Sequence, residues 1–206
     1  MKTEIIVTTA SIGWTIALLF MQFLKAWSGG RNDFSRKAGN PKSAVVYNFT
    51  IAMLPTHKET IRNHPIKFMV GITMHMGAFY SILRVFILLF FPGVFFQYPQ
   101  LLGIALIVPI LCGIYLFIRR IVSANMRSMS SFDDYFAILM TTGITVFSAL
   151  FELNIVSGST FLIAASVLFF YMPLGKLRHV LFFFLARINY GGRLGYRGVY
   201  PTGKRN

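Results

Sequence analysis

The chain has 206 residues, 55% of them hydrophobic and only 13% charged, with a formal net charge of +14. That composition excludes an ordinary soluble domain and reads as an integral membrane protein. Its one cysteine, Cys112, sits in an apolar run and excludes both an intrachain disulfide and a cysteine-ligated cluster within the chain, leaving a small buried hydrophobe.

Five apolar runs, at 4–23, 66–91, 101–118, 135–155 and 158–187, each approach the roughly 20 residues a helix needs to cross about 30 Å of hydrocarbon. The expected fold is therefore all-α, a single membrane domain of five transmembrane helices over 1–206. The first run opens with Met1-Lys2, carries an acid at Glu4 and ends in "FLKAWSGG" without a small-x-small cleavage pattern, so it is expected to be a retained helix and not a secretory signal.

The connection that follows is the longest and holds eight cations from Lys25 to Lys67. Its "KSAVVYNFTIAML" is apolar enough to lie along a membrane surface. Pro55 and Pro65 bracket a polar segment with His57 and His64, which are seven apart and would share a helix face; they read as solvated surface residues, with the lining of a quinone entrance or a second metal as the alternatives. Arg119, Arg120 and Arg127 follow the third run, and seven further cations run from Lys176, in the last part of the fifth, to Arg205. The connections "FPGVFFQYPQ" and "LNIVSGST" contain none. The positive-inside rule places the basic segments in the cytoplasm and the N-terminus outside. Topology and anionic lipid thus account for the charge, and no nucleic-acid partner is expected. The basic tail, 188–206, alternates Arg, Gly and Tyr and is suited to docking a partner subunit or headgroups.

The second run contains His75, nine residues past Ile66 and so about 13 Å from the cytoplasmic edge. A histidine at that depth calls for a partner. If the fifth helix continues through Pro173 to Ile188, His179 lies about two to three turns from its cytoplasmic end, at a matching depth. Two imidazoles at one level on antiparallel spans suit a low-spin b-type haem, whose iron takes one nitrogen on each side of the porphyrin. Each is preceded four residues earlier by glycine, Gly71 and Gly175, which would clear room for a flat macrocycle. A helix–helix hydrogen bond by His75 and an interfacial His179 are the alternative. Lys176 and Arg178 are candidates to neutralise haem propionates, or simple interfacial anchors. Arg84 and Glu152, in the second and fourth runs, are expected to pair or to line a polar pocket for quinone or protons. Ser131 with Asp134 fits a capping box that starts the fourth helix.

"FMVGITMHMGAF", "MRSMSSFDDYFAILM" and "MPLGKLRHVLFF", in that order, resemble the membrane cytochrome b (gamma) subunit of respiratory nitrate reductase and its relatives in heterodisulfide-reductase-like and sulfite-reductase-associated complexes. The resemblance extends over about 65–187. It implies a haem b held by His75 and His179 on the cytoplasmic side, in a prokaryotic cytoplasmic membrane. It also implies electron transfer between a membrane quinone, menaquinone or ubiquinone, and a cytoplasmic-side iron–sulfur subunit. In the nitrate-reductase group a second histidine pair holds an outer haem; here "FYSILRVFILLF" and "STFLIAASVLFF" contain none, so one haem is expected. With no Rossmann glycine fingerprint, cysteine set or acid/base dyad, substrate chemistry would belong to other subunits. A cofactor-free transporter with His75, Arg84 and Glu152 along an ion path, or a structural anchor, shares the same topology.

Overall fold

The computed structural model describes residues 2–29, 35–54, 63–94 and 96–201. Among these every regular element is helical: α1 (Lys2–Ser28), α2 (Pro41–Phe49), α3 (Pro65–Phe90), α4 (Pro99–Ala105), α5 (Ile107–Val122), α6 (Ala124–Ser128), α7 (Phe132–Glu152), α8 (Gly158–Tyr171) and α9 (His179–Tyr196), with 3-10 turns at Ile51–Met53 and Lys176–Arg178. Four stretches, α1, α3, α4 with α5, and α7, are long and apolar enough to cross a membrane, and the broken pair α8 and α9 makes a fifth if counted as one span. The chain is thus a helical protein suited to crossing a membrane several times. Its outward side chains, including Ile16, Met76, Leu83 and Val167, are compatible with lipid contact.

Where the sequence reading treats 1–206 as one domain, the chain packs as two units, residues 1–18 with 66–177 and residues 19–65 with 178–206. In the first unit, the buried residues of α3 are Met74, Gly77, Ala78, Ser81, Arg84 and Val85, the three-and-four spacing of a single helical face. Helix α7 starts at the expected capping box, with the Asp134 carboxylate accepting from Ser131 N at 2.9 Å. The α4–α5 stretch breaks at Leu106 because Pro109 has no N–H to offer the Ala105 carbonyl. The same proline sits over Gly77, where a Cβ would lie 2.5 Å from the ring. Val85, Ile144, Phe161, Leu162, Ala165, Leu168 and Phe169 form the core.

The predicted continuous fifth helix, 158–187, is not formed. Helix α8 stops at Tyr171, and a new helix begins only at His179. Pro173 is the cause, since it cannot donate to the Phe169 carbonyl four residues earlier. That carbonyl is taken instead by the Thr15 hydroxyl of α1, and Trp14 Nε1 donates to the Phe170 carbonyl at 3.3 Å while its ring stacks on Phe170 at 5.5 Å. Further along, the Thr8 hydroxyl lies 3.1 Å from the Leu162 carbonyl and 3.0 Å from Ser166 Oγ. Thr8, Ser11 and Thr15 are the buried residues of α1, so its polar stripe closes the end of α8.

In the second unit α2 packs on α9. Asn40 caps α2, accepting from Lys42 N at 3.0 Å. The last turns of α9 are a G-x-x-x-G face: a Cβ on Gly195 would lie 2.3 Å from Ala44 Cβ, and one on Gly191 would lie 2.7 Å from Val45 Cα. Asn48 Nδ2 donates to the Arg187 carbonyl at 2.7 Å, and Arg187 Nη1 returns bonds to the Asn48 carbonyl and Oδ1 at 2.8 and 3.0 Å. The basic tail expected from residue 188 is helical as far as Tyr196, and "KSAVVYNF" lies against it.

Candidate functional site

Four of the sequence-selected residues lie on α3 or reach it. His75 is on the exposed face of α3, in a stripe with Ile72, Met76, Phe79 and Leu83, opposite in sense to the buried Met74–Val85 face. Its Nδ1 is 2.7 Å from the Gly71 carbonyl. A carbonyl can only accept, so Nδ1 carries the proton, and in the neutral ring Nε2 is then the lone-pair nitrogen. A backbone acceptor that fixes the tautomer in this way is the usual outer partner of a metal-bound histidine. A Cβ at Gly71 would meet nothing within 4 Å, so the space one turn before His75 is open. The His75 side therefore fits a haem. Bis-histidine ligation needs only two protein nitrogens, and among the described residues no group of three or more His, Cys, Asp or Glu converges on a metal-sized site.

His179 lies in the other unit, as the first residue of α9, and is exposed. The expectation that it sits two to three turns inside a continuous helix fails with the break at Pro173. The space beside Gly175 is filled, because the Tyr171 ring approaches an ideal Cβ there to 2.2 Å. Gly175 thus makes room for Tyr171, which packs edge-on against Phe136 at 4.7 Å and donates its hydroxyl to Asp133. Lys176 is bonded to Asp134, which also pairs with Arg120 at 3.0 Å. Arg178 is exposed. His64 is exposed immediately before α3, and His57 lies outside the described residues.

Arg84 and Glu152 meet as expected. Arg84 Nε donates to Glu152 Oε1 at 2.6 Å, with side-chain exposures of 9% and 1%. Sequence reasoning missed the rest of this cluster. Tyr80, one turn before Arg84 on α3, donates its hydroxyl to the same oxygen at 2.8 Å, and the guanidinium lies over Phe96 at 4.9 Å and Phe151 at 5.0 Å. The i, i+4 spacing of Tyr80 and Arg84 was the available signal. Arg84, Glu152, Phe96 and Phe151 line a cavity of about 190 Å³ together with Phe91, Pro99 and Asn154. A buried arginine between two aromatic faces, beside a carboxylate with a phenol on it, can bind a planar carbonyl compound or pass protons.

Compared with protein-family models, curated proteins and solved structures, the chain matches none.

Proposed function

We propose that this chain is the haem b-carrying membrane subunit of a quinone-linked respiratory oxidoreductase, with His75 and His179 as the two axial ligands. The observation that carries the proposal is the mid-span His75, whose Nδ1 is held by the Gly71 carbonyl beside open space on an exposed face. The resemblance of the segments around His75, Asp134 and His179 to cytochrome b membrane subunits supports the same reading. When bound, a haem supplies one-electron redox chemistry between a two-electron quinol and one-electron iron–sulfur carriers.

The residues of the chain bind and orient. The Gly71 carbonyl fixes the ring of His75. Arg84 is the donor for a quinone carbonyl at the cavity, and Glu152, which accepts from both Arg84 and Tyr80, is the acceptor beside it. The basic connections face the cytoplasm of a prokaryotic cell, the N-terminus faces outward, and an iron–sulfur subunit docks on the basic side.

The dithionite-reduced minus oxidised spectrum of the purified chain tests this, with haem quantified for wild type, His75→Ala and His179→Ala. The expected result is a b-type signal at about one haem per chain, lost in both variants. The buried Arg84–Glu152 pair favours a second reading, a cofactor-free proton or ion path. A wild type without visible absorbance would replace the first reading with the second.

A further inference from the structure

The cavity beside Arg84 has polar lining at two levels. Among the described residues its polar lining consists of Arg84, Glu152 and Asn154, and the rest of the wall is aromatic, aliphatic or proline. Arg84 and Glu152 form the deep end, with side-chain exposures of 9% and 1%, whereas Asn154 is exposed.

The deep end keeps both kinds of hydrogen-bonding group in reserve. Tyr80 and Arg84 Nε both donate to Glu152 Oε1, and among the described residues neither Glu152 Oε2 nor the two Nη groups of Arg84 has a hydrogen-bond partner. Guanidinium groups only donate and a carboxylate only accepts. A ligand oxygen can therefore be held there as a carbonyl or as a hydroxyl.

Asn154 occupies its position for a backbone reason that does not require asparagine. Its φ is 58°, the left-handed conformation of a residue just past a helix end, and Ile155 N donates back to the Leu150 carbonyl at 2.8 Å. Glycine takes that conformation without steric cost and is the commoner choice. Asparagine adds an amide, which makes no hydrogen bond among the described residues. Like the Arg84–Glu152 pair, an amide offers a donor and an acceptor.

We infer that Asn154 is a specificity-determining residue of this cavity, holding the second oxygen of a ring compound whose first oxygen lies at Arg84 and Glu152. The ligand class is a ring with two opposed oxygens. Reducing a para-quinone by two electrons and two protons turns both carbonyls into hydroxyls, so a site that holds both redox forms needs a donor and an acceptor at each end. The inference rests on the quinone reading of the cavity.

The test is calorimetric titration of the full chain in neutral-detergent micelles with duroquinone, which has two opposed carbonyls, with durohydroquinone under argon, and with isophorone, a methylated ring with one carbonyl. Asn154→Gly keeps the left-handed turn and removes the amide. It is expected to weaken duroquinone and durohydroquinone about tenfold and isophorone about twofold or less, since only the two-oxygen rings lose a hydrogen bond. Val94→Trp, at an exposed lining position, fills the cavity and is expected to abolish binding of all three. Far-ultraviolet circular dichroism verifies that both variants keep their helices. Affinity for duroquinone or durohydroquinone that survives Asn154→Gly, or a loss shared equally by isophorone, overturns the inference and leaves the quinone reading standing. No duroquinone binding in wild type, or binding indifferent to Val94→Trp, overturns that reading and the inference with it.

Discussion

The Arg84–Glu152 pair allows a quantitative test of how this protein tolerates charge in its membrane-spanning part. Glu152 is 1% exposed and Arg84 9%, so neither charge reaches bulk water in the folded chain. Replacing Glu152 with Gln keeps the shape and an acceptor for Tyr80 but leaves the guanidinium between Phe96 and Phe151 without its anion. Breaking a buried pair from one side costs about 3–5 kcal/mol, because the remaining charge stays desolvated. Arg84→Gln is expected to cost a similar amount, by stranding the carboxylate. The double variant removes both charges and leaves two amides within reach of each other. Its loss is expected to fall about 2–3 kcal/mol or more short of the sum of the two single losses. The assay is reversible unfolding in mixed micelles of increasing SDS fraction, followed by circular dichroism for the four proteins of the cycle. Additive losses would refute the reasoning, since they would mean that each charge is solvated independently.

Three further outcomes follow from the packing. Thr15→Val removes the donor that takes the Phe169 carbonyl and is expected to cost about 1–2 kcal/mol in the same unfolding assay; Thr9→Val, whose hydroxyl bonds only within α1, should cost less. Gly195→Val places a side chain where Ala44 and Asn40 already stand, and is expected to separate α2 from α9, read as faster proteolysis within residues 35–54, whereas Gly192→Ala, with nothing within 4 Å, should not. Gly71→Ala should leave folding unchanged while lowering haem content, and Gly175→Ala should displace the Tyr171 ring and cost about 1–3 kcal/mol without haem being involved.

Much of the helical plan was legible because a membrane leaves few choices. A run of some 20 apolar residues has to be a helix there, and two isolated opposite charges in such runs have to find each other, as Arg84 and Glu152 do. The Ser131–Asp134 start of α7 was legible because a capping box is a local device. The break before His179 was not, since apolar character resumes after "KLR" and masks it, although Pro173 was the local signal. Gly71 and Gly175 look identical by spacing, one turn before a histidine. Only the placement of the Tyr171 ring separates them, one beside open space and one beneath an aromatic. The helical course of "NYGGRLGY" was hidden by its glycines, whose reason shows only when Ala44 and Val45 are seen against them. The cluster at the cavity drew on Phe96 and Phe151 as well as the two charges, with Tyr80 behind them on Glu152, three stretches of chain whose convergence no single window contains.

The hydroxyls of α1 bear on the order in which the chain can be assembled. Each is also bonded within its own helix, Thr8 to the Glu4 carbonyl at 2.8 Å and Thr15 to the Ser11 carbonyl at 2.9 Å. Helix α1 can therefore enter the bilayer first with its polar groups already satisfied, and wait there while more than a hundred residues are made. In the packed chain each hydroxyl shares its single proton between the in-helix carbonyl and a carbonyl of α8, Leu162 for Thr8 and Phe169 for Thr15. Helix α1 thus serves as a template on which the interrupted α8 is finished, and the proline that stops α8 is tolerated because a donor for the freed Phe169 carbonyl stands ready on α1.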